Sequence, residues 1–381
     1  MTLLEVIKDA SVNSKSLHTP LDYPYVLNPD NILPNLKPEI KDESSSSLIK
    51  PLTGWQIPQT DTEIIDINKR FFQELKGMLE SPENLQTKIF VRSFYSYLKS
   101  IKDKSGVSST LIEKIGVFID KDVAGMVLDG CVSLEIWDVV EDLIVNSIIE
   151  RSCYSKLVTK LVEKKRSDLL CMCIKHGFDL GSSEILTILR YFLSPSQDAY
   201  NSMLTVKKEW ESHALLAIEK LSDSNLEKKN LLMAKEASVL LMMAYDGFSA
   251  SETCLHYLIA LSNINDVMLS PSFGKLNSKE LINLIRYLAK WLEKYQRFPQ
   301  AGPCPEASSV LHLKGCDWVP KLEDVIKCLS LVLDENFSSL MLHPQFHEEL
   351  RSIEVLVSCL TAEAKFCQMM ADVVDKLKIE E

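Results

Sequence analysis

Two stretches of this chain, ninety-six residues apart, carry one pattern. The first reads Ser182-Ser183-Glu184-Ile185-Leu186-Thr187-Ile188-Leu189-Arg190-Tyr191-Phe192-Leu193, the second Ser278-Lys279-Glu280-Leu281-Ile282-Asn283-Leu284-Ile285-Arg286-Tyr287-Leu288. In each, a small polar residue precedes a first-turn glutamate, which suits the unpaired N–H groups and positive dipole end of a starting helix. Apolar residues follow at Ile185, Ile188, Leu189 and Phe192, matched by Leu281, Leu284, Ile285 and Leu288. This i, i+3, i+4, i+7 stripe belongs to a helix that buries one face. The pattern predicts two core helices of one array with equivalent buried faces, Ile188 and Leu284 among them. Arg190-Tyr191 and Arg286-Tyr287 fall just off the stripe, where an amphipathic side chain can stack on a neighbouring helix.

The same periodicity runs from Thr60 onward, and only 12 of the 381 residues are Gly, so long stretches can continue as helix. The predicted fold class is all-α, an irregular α-solenoid or helical array over 60–381 preceded by a disordered or extended arm over 1–59. A subdivision is expected near 195 and a long loop at 297–320. The arm is expected because seven of the fifteen prolines fall between Pro20 and Pro58, too close together for a useful helix, around the polar tract Lys41-Asp42-Glu43-Ser44-Ser45-Ser46-Ser47. Its apolar pieces, Leu21 to Leu27 and Trp55 to Pro58, suit docking as extended segments.

Within the body, helices are expected over Asp61 to Leu79, Ile89 to Leu98, Leu111 to Phe118, Val123 to Leu128, Leu134 to Ile149, Tyr154 to Val162 and Asp168 to His176. Their short connections favour antiparallel neighbours, as in solenoids. After the first motif come Gln197 to Leu221, Asn225 to Tyr245 and Glu252 to Leu261, then a loop at Pro271 and Gly274 before the second motif. Six Gly and Pro residues between Pro299 and Pro320 predict the long loop. Leu322 to Leu333, Gln345 to Leu360 and Glu363 to Leu377 close the chain as three helices, with fraying from Lys378.

A formal charge of -11 argues against wrapping nucleic acid as the main task, because such binders neutralise phosphates with a basic surface. The ten cysteines, with no secretory apolar region at the N-terminus, are expected to be free thiols. The longest apolar runs fall short of the about 20 residues that span a bilayer.

Motifs for phosphate cradles, nucleophile elbows and zinc proteases are missing, which points away from an enzyme. Cys171, Cys173 and His176 lie close enough for a metal, but no fourth ligand is near, and the two thiols stand about 200° apart around a helix. Cys304, His312 and Cys316 share the Pro-rich loop at irregular spacing, while His343 and His347 read as a cap position and a surface imidazole. Lys160, Lys164, Lys165 and Arg166 form a basic cluster able to touch RNA phosphates, diluted by Glu163 and Asp168, so a solvated helix face is expected. No catalytic, cofactor-binding or metal residue is therefore assigned.

Two segments carry a family likeness. Asp168-Leu169-Leu170-Cys171 followed by Phe178 to Leu186 and Leu189 to Leu193, together with Leu331 to Pro344, resembles the helical half of the nucleolar protein eleven family. The likeness covers roughly Thr60 to the C-terminus and rests on loose motifs. It implies a subunit of the small-subunit processome, in the subcomplex coupling ribosomal DNA transcription to early processing of the 18S precursor. Nucleolar localisation, protein partners within a large assembly, and weak or indirect RNA contact follow from it, with no membrane and no small-molecule substrate. Family members usually carry a β-propeller before the helical region. The first 58 residues hold none, so propeller contacts are not carried over. The reading from the residues alone is a non-catalytic scaffold, with a vesicle-coat or nuclear-pore scaffold as the alternative and an all-α enzyme behind both.

Overall fold

The computed structural model describes residues 59–379 except 81–85, 108–110, 177–179, 223–226 and 262–265, with side chains described between 61 and 372. The expected arm lies outside the described residues apart from Gln59, as do Ser81-Pro82-Glu83 and residues 380–381. Sixteen α-helices and three 3-10 turns carry the described chain, and no described residue is in a strand. The fold is all-α.

Helix α1 (Gln59–Glu80) packs on α2 (Thr87–Ser105) and α4 (Lys121–Ser133), with the short α3 (Ile112–Ile115) between them in sequence. Buried Asn68 ties these pieces together. Its amide donates to the carbonyls of Ile64 (3.1 Å) and Phe118 (3.0 Å), and its Oδ1 accepts from Tyr97 Oη (2.5 Å) and the Asp120 N–H (3.0 Å). Every hydrogen-bonding position of the side chain is thus filled, which is what makes its burial affordable.

The next helices are α5 (Trp137–Val145), α6 (Arg151–Glu163) and α7 (Ser167–His176). One turn geometry is used three times between α4 and α7. Glu135, Ser147 and Lys165 each adopt positive φ (56°, 52° and 56°), and the next N–H bonds five residues back: Ile136 to Cys131 (2.8 Å), Ile148 to Leu143 (3.2 Å) and Arg166 to Leu161 (2.9 Å). This is the Schellman closure of a helix end, normally built on glycine. Because none of the three is glycine, the expected single helix from Leu134 to Ile149 is wrong at both ends: only 137–145 is helical.

From here the array advances by packing each helix on ones a few places along. The motif helices are α8 (Ser182–Leu193) and α13 (Ser278–Arg297), separated by α9 (Gln197–Leu221), α10 (Lys228–Tyr245), α11 (Ala250–Ile259) and α12 (Asp266–Phe273). Helix α5 packs on α7, α7 on α9 and α9 on both α10 and α11, while α6 packs on α8 and α8 on α12 and α13. One continuous core runs from Ile67 to Ile353. Ile188 and Leu284 are both fully buried, as the shared stripe requires.

Four expectations need correcting. The loop predicted around Pro271 is helix α12. Pro271 lacks the N–H that would reach Val267 O, and the adjacent Ser272 Oγ shares its one proton between Met268 O (3.0 Å) and Ser182 O (2.9 Å) at the start of α8, tying the two helices together. The long loop at 297–320 contains α14 (Pro305–Val310), started by proline where no N–H is needed, and a 3-10 turn over Lys314–Trp318. It packs so closely that a Cβ on Gly315 would lie 2.9 Å from His213 Cγ and 3.0 Å from a Leu241 methyl. Helix α15 (Leu322–Leu342) runs nine residues past its expected end, held by buried Asn336, whose amide donates to Val332 O (3.0 Å) and Phe273 O (3.4 Å). The last two predicted helices are one, α16 (His347–Ile379), because Thr361 Oγ1 satisfies itself within the helix on Val357 O (2.7 Å).

Candidate interaction surfaces

The chemical candidates from the sequence do not converge. Cys171 and Cys173 are both buried although they point to opposite sides, because α7 is enclosed by α5 and α6 and by α9 and α11. Burial pushes the Cys173 thiol well above its usual range, which suits an inert apolar side chain. Cys304 and Cys316 line a small cavity of about 150 Å³ beside Leu240 and Tyr295. His312, in the left-handed region at φ 59°, turns out to solvent away from them. His343 and His347 are exposed, and His347 Nε2 donates to Met341 O at 3.1 Å. Among the described residues no group of three or more His, Cys, Asp or Glu could hold a metal ion. All ten cysteines are free.

The basic cluster is internally neutralised. Lys160 pairs with Glu163 (2.8 Å), Lys164 with Glu135 (2.6 Å), Arg166 with Asp168 (2.5 Å) and Lys165 with Asp198. Arg166 also lies over the Trp137 ring at 4.7 Å. Two of these acids come from other turns of the array, Glu135 and Asp198, so the sequence neighbourhood could not reveal the pairing.

A half-buried polar cluster joins Lys175 of α7 to Glu209 and His213 of α9. Lys175 Nζ sits 2.8 Å from Glu209 Oε1 and 4.3 Å over the Tyr257 ring. Burial works against the Glu209 charge, but the nearby His213 ring (3.7 Å) and the Lys175 ammonium outweigh it and hold the carboxyl at about 2. A carboxylate so firmly ionised neither takes up nor gives back a proton near neutrality, as general acid–base work demands. Behind it, His256 is fully buried. A carbonyl only accepts, so Nε2 carries the proton and donates to Ala244 O (2.9 Å), leaving Nδ1 to accept from Tyr287 Oη (2.9 Å). Burial lowers this imidazole to about 3, and it stays neutral.

The surface tells more. Helix α16 packs through Leu350, Ile353, Leu356 and Leu360, and from Thr361 to Asp372 every side chain is exposed. On this free length, Ala362, Phe366, Met369 and Met370 fall at i, i+4, i+7, i+8, with Phe366 63%, Met369 66% and Met370 54% exposed. The end of α15, inside the family-like segment, adds exposed Phe337, Met341 and Leu342. Sequence periodicity could assign these residues to a stripe but not say that no described residue covers it. No helix is long and apolar enough to cross a membrane among the described residues. Comparison with family models, with curated proteins and with solved structures gave no match.

Proposed function

We propose that this protein is a non-catalytic scaffold subunit that holds other proteins in a large assembly, resembling a small-subunit processome component for pre-18S rRNA transcription and processing. The observation that carries the scaffold reading is the free length of α16. A helix that leaves Phe366, Met369 and Met370 in water forgoes about 1.5–3 kcal/mol for each side chain that a partner would bury. Anchors at helical spacing are how an amphipathic helix enters a hydrophobic groove. The placement in the nucleolus, and the preference for a ribosome-biogenesis particle over a vesicle coat or nuclear pore, rest on the sequence resemblance.

Tagged full-length protein purified from nuclear extract should bring down small-subunit processome proteins and concentrate in nucleoli. The double variant Phe366→Glu, Met370→Glu should lose those partners with an unchanged unfolding temperature, because both side chains are exposed in the free chain. Recovery of coat or pore components without nucleolar proteins would sink the processome placement. Unchanged partner recovery by the double variant would sink α16 as the docking element.

A further inference from the structure

Helix α2 concentrates positive charge in a chain whose formal net charge is -11: five basic residues, Lys88, Arg92, Lys99, Lys102 and Lys104, stand against one acid, Asp103. Four of them recur with Tyr95 at 88, 92, 95, 99 and 102, an i, i+4, i+7, i+11, i+14 series. At 3.6 residues per turn this series is one stripe about 80° wide and about 21 Å long. It lies opposite the face buried through Phe90, Phe94, Tyr97, Leu98 and Ile101. Tyr95 is 57% exposed in its middle.

Unlike the cluster at 160–166, this stripe is unspent among the described residues. Lys104 pairs with Glu63 at 2.7 Å, but among the described residues Lys88, Arg92, Lys99 and Lys102 have no acidic partner. The acids beside them, Glu74 and Asp103, line the groove between α1 and α2 with Arg70 and Arg92, and Glu74 is engaged by the Ser93 hydroxyl at 2.5 Å. Helix physics accounts for part of the stripe, since cations favour a C-terminal end. It does not account for Lys88 in the first turn, at the positive dipole end, or for the like-charge neighbours Lys88 with Arg92 and Lys99 with Lys102. These arrangements oppose the helix unless an external anion meets them.

We propose that the solvent face of α2 binds single-stranded RNA, with Lys88, Arg92, Lys99 and Lys102 on successive phosphates and Tyr95 stacked on a base. A run of carboxylates would satisfy the charges but carries no ring of its own, whereas every unpaired nucleotide couples a phosphate to a flat base that can stack on the tyrosine held between Arg92 and Lys99. This contact requires nothing of α16 or of the processome placement.

The test is fluorescence anisotropy of the full chain with an unstructured RNA of about 20 nucleotides, titrated at several salt concentrations. Replacing Lys88, Arg92, Lys99 and Lys102 together by Gln should weaken binding at least tenfold and lower the slope of log affinity against log salt by about 2 to 3, since each single-strand phosphate contact contributes about 0.7. Tyr95→Ala should weaken binding severalfold with the slope unchanged. Neutralising Lys160, Lys164 and Lys165 should do neither. Apart from half-buried Lys102, all these side chains are exposed or paired at the surface, and circular dichroism melting checks that the variants fold. Absence of binding at low salt, or binding indifferent to the fourfold variant, overturns the proposal. So does equal competition by poly-glutamate together with no effect of Tyr95→Ala, which would make the partner an acidic protein.

Discussion

Helices α8 and α13 share a sequence pattern but spend it differently. Both bury the same stripe, and both aim their tyrosine back toward an earlier helix and their arginine forward. Tyr191 meets Ser167 Oγ at the start of α7 (2.9 Å), while Tyr287 meets His256 of α11. Arg190 donates to Lys275 O (2.6 Å) and faces Glu280 Oε2 (3.7 Å) in the second copy itself; Arg286 reaches Glu349 of α16 (2.7 Å). Asn283 of α13 returns the contact by donating to Leu193 O at the end of α8 (2.9 Å). The two copies therefore cap one another. Tyr191 and Tyr287 are core residues, 9% and 0% exposed, rather than stacking side chains beside the stripe. The pattern fixes which face is buried; the neighbours decide how deeply, and Tyr287 sits deeper, against Phe248 and His256.

The largest effects test the shared part. Ile188→Ala and Leu284→Ala each remove a fully buried side chain and should each cost about 2–5 kcal/mol in urea unfolding. The likeness between the copies breaks if one of them costs less than about 1 kcal/mol while the other falls in this range.

Smaller effects sharpen the difference. Tyr287→Phe strands Nδ1 of a fully buried imidazole and should cost about 1–3 kcal/mol, whereas Tyr191→Phe leaves a rotatable Ser167 hydroxyl and should cost about 0.5–1.5 kcal/mol. Only the second copy should also bring pH dependence. His256 is held near 3, below its ordinary value of 6.5, so between those values the unfolded chain binds a proton that the folded chain does not. Its contribution is complete above about pH 6.5 and falls by roughly 1.4 kcal/mol per pH unit below it. The stability profile of His256→Gln between pH 7 and 5 should be flatter than wild type by that slope. Equal slopes would show that His256 already charges in the folded state.

Much of this architecture is legible from spacing alone. The apolar period located α1, α7, α8 and α9 closely, because a buried stripe is a property of one segment, while α2 runs seven residues past its expected end at Leu98. What failed depends on partners. Glu135, Ser147 and Lys165 turn the chain without glycine, their helix ends closed by the N–H groups of Ile136, Ile148 and Arg166, and the helix around Pro271 is tied to α8 by Ser272. The consecutive bases Lys164, Lys165 and Arg166 stand out in the sequence, yet the fold neutralises them through Glu135, Asp198 and Asp168. Lys88, Arg92, Lys99 and Lys102 are scattered along the chain, and their recurrence shows only when charges, like apolar residues, are counted at helical period. The exposure of Phe366 on α16 was not legible at all, being set by which surfaces the rest of the array leaves uncovered.

The arginines give the finest discrimination between the copies. Arg190 and Arg286 are 49% and 54% exposed, so neither ion pair should exceed about 1 kcal/mol. Their partners differ, however: the Glu280 side chain is 7% exposed and the Glu349 side chain 26%. Arg190→Ala leaves a buried carboxylate with its bond from the Asn277 N–H (2.9 Å) but without a cation, and also frees Lys275 O. Arg286→Ala leaves a carboxylate that water can reach. Arg190→Ala should thus cost about 1 kcal/mol and Arg286→Ala less than about 0.5 kcal/mol. In a double-mutant cycle, Glu280→Gln should recover most of the first loss, because a neutral amide at that site no longer needs the guanidinium. Equal costs, or no coupling between Arg190 and Glu280, would mean that mutual capping of the copies rests on Asn283 alone.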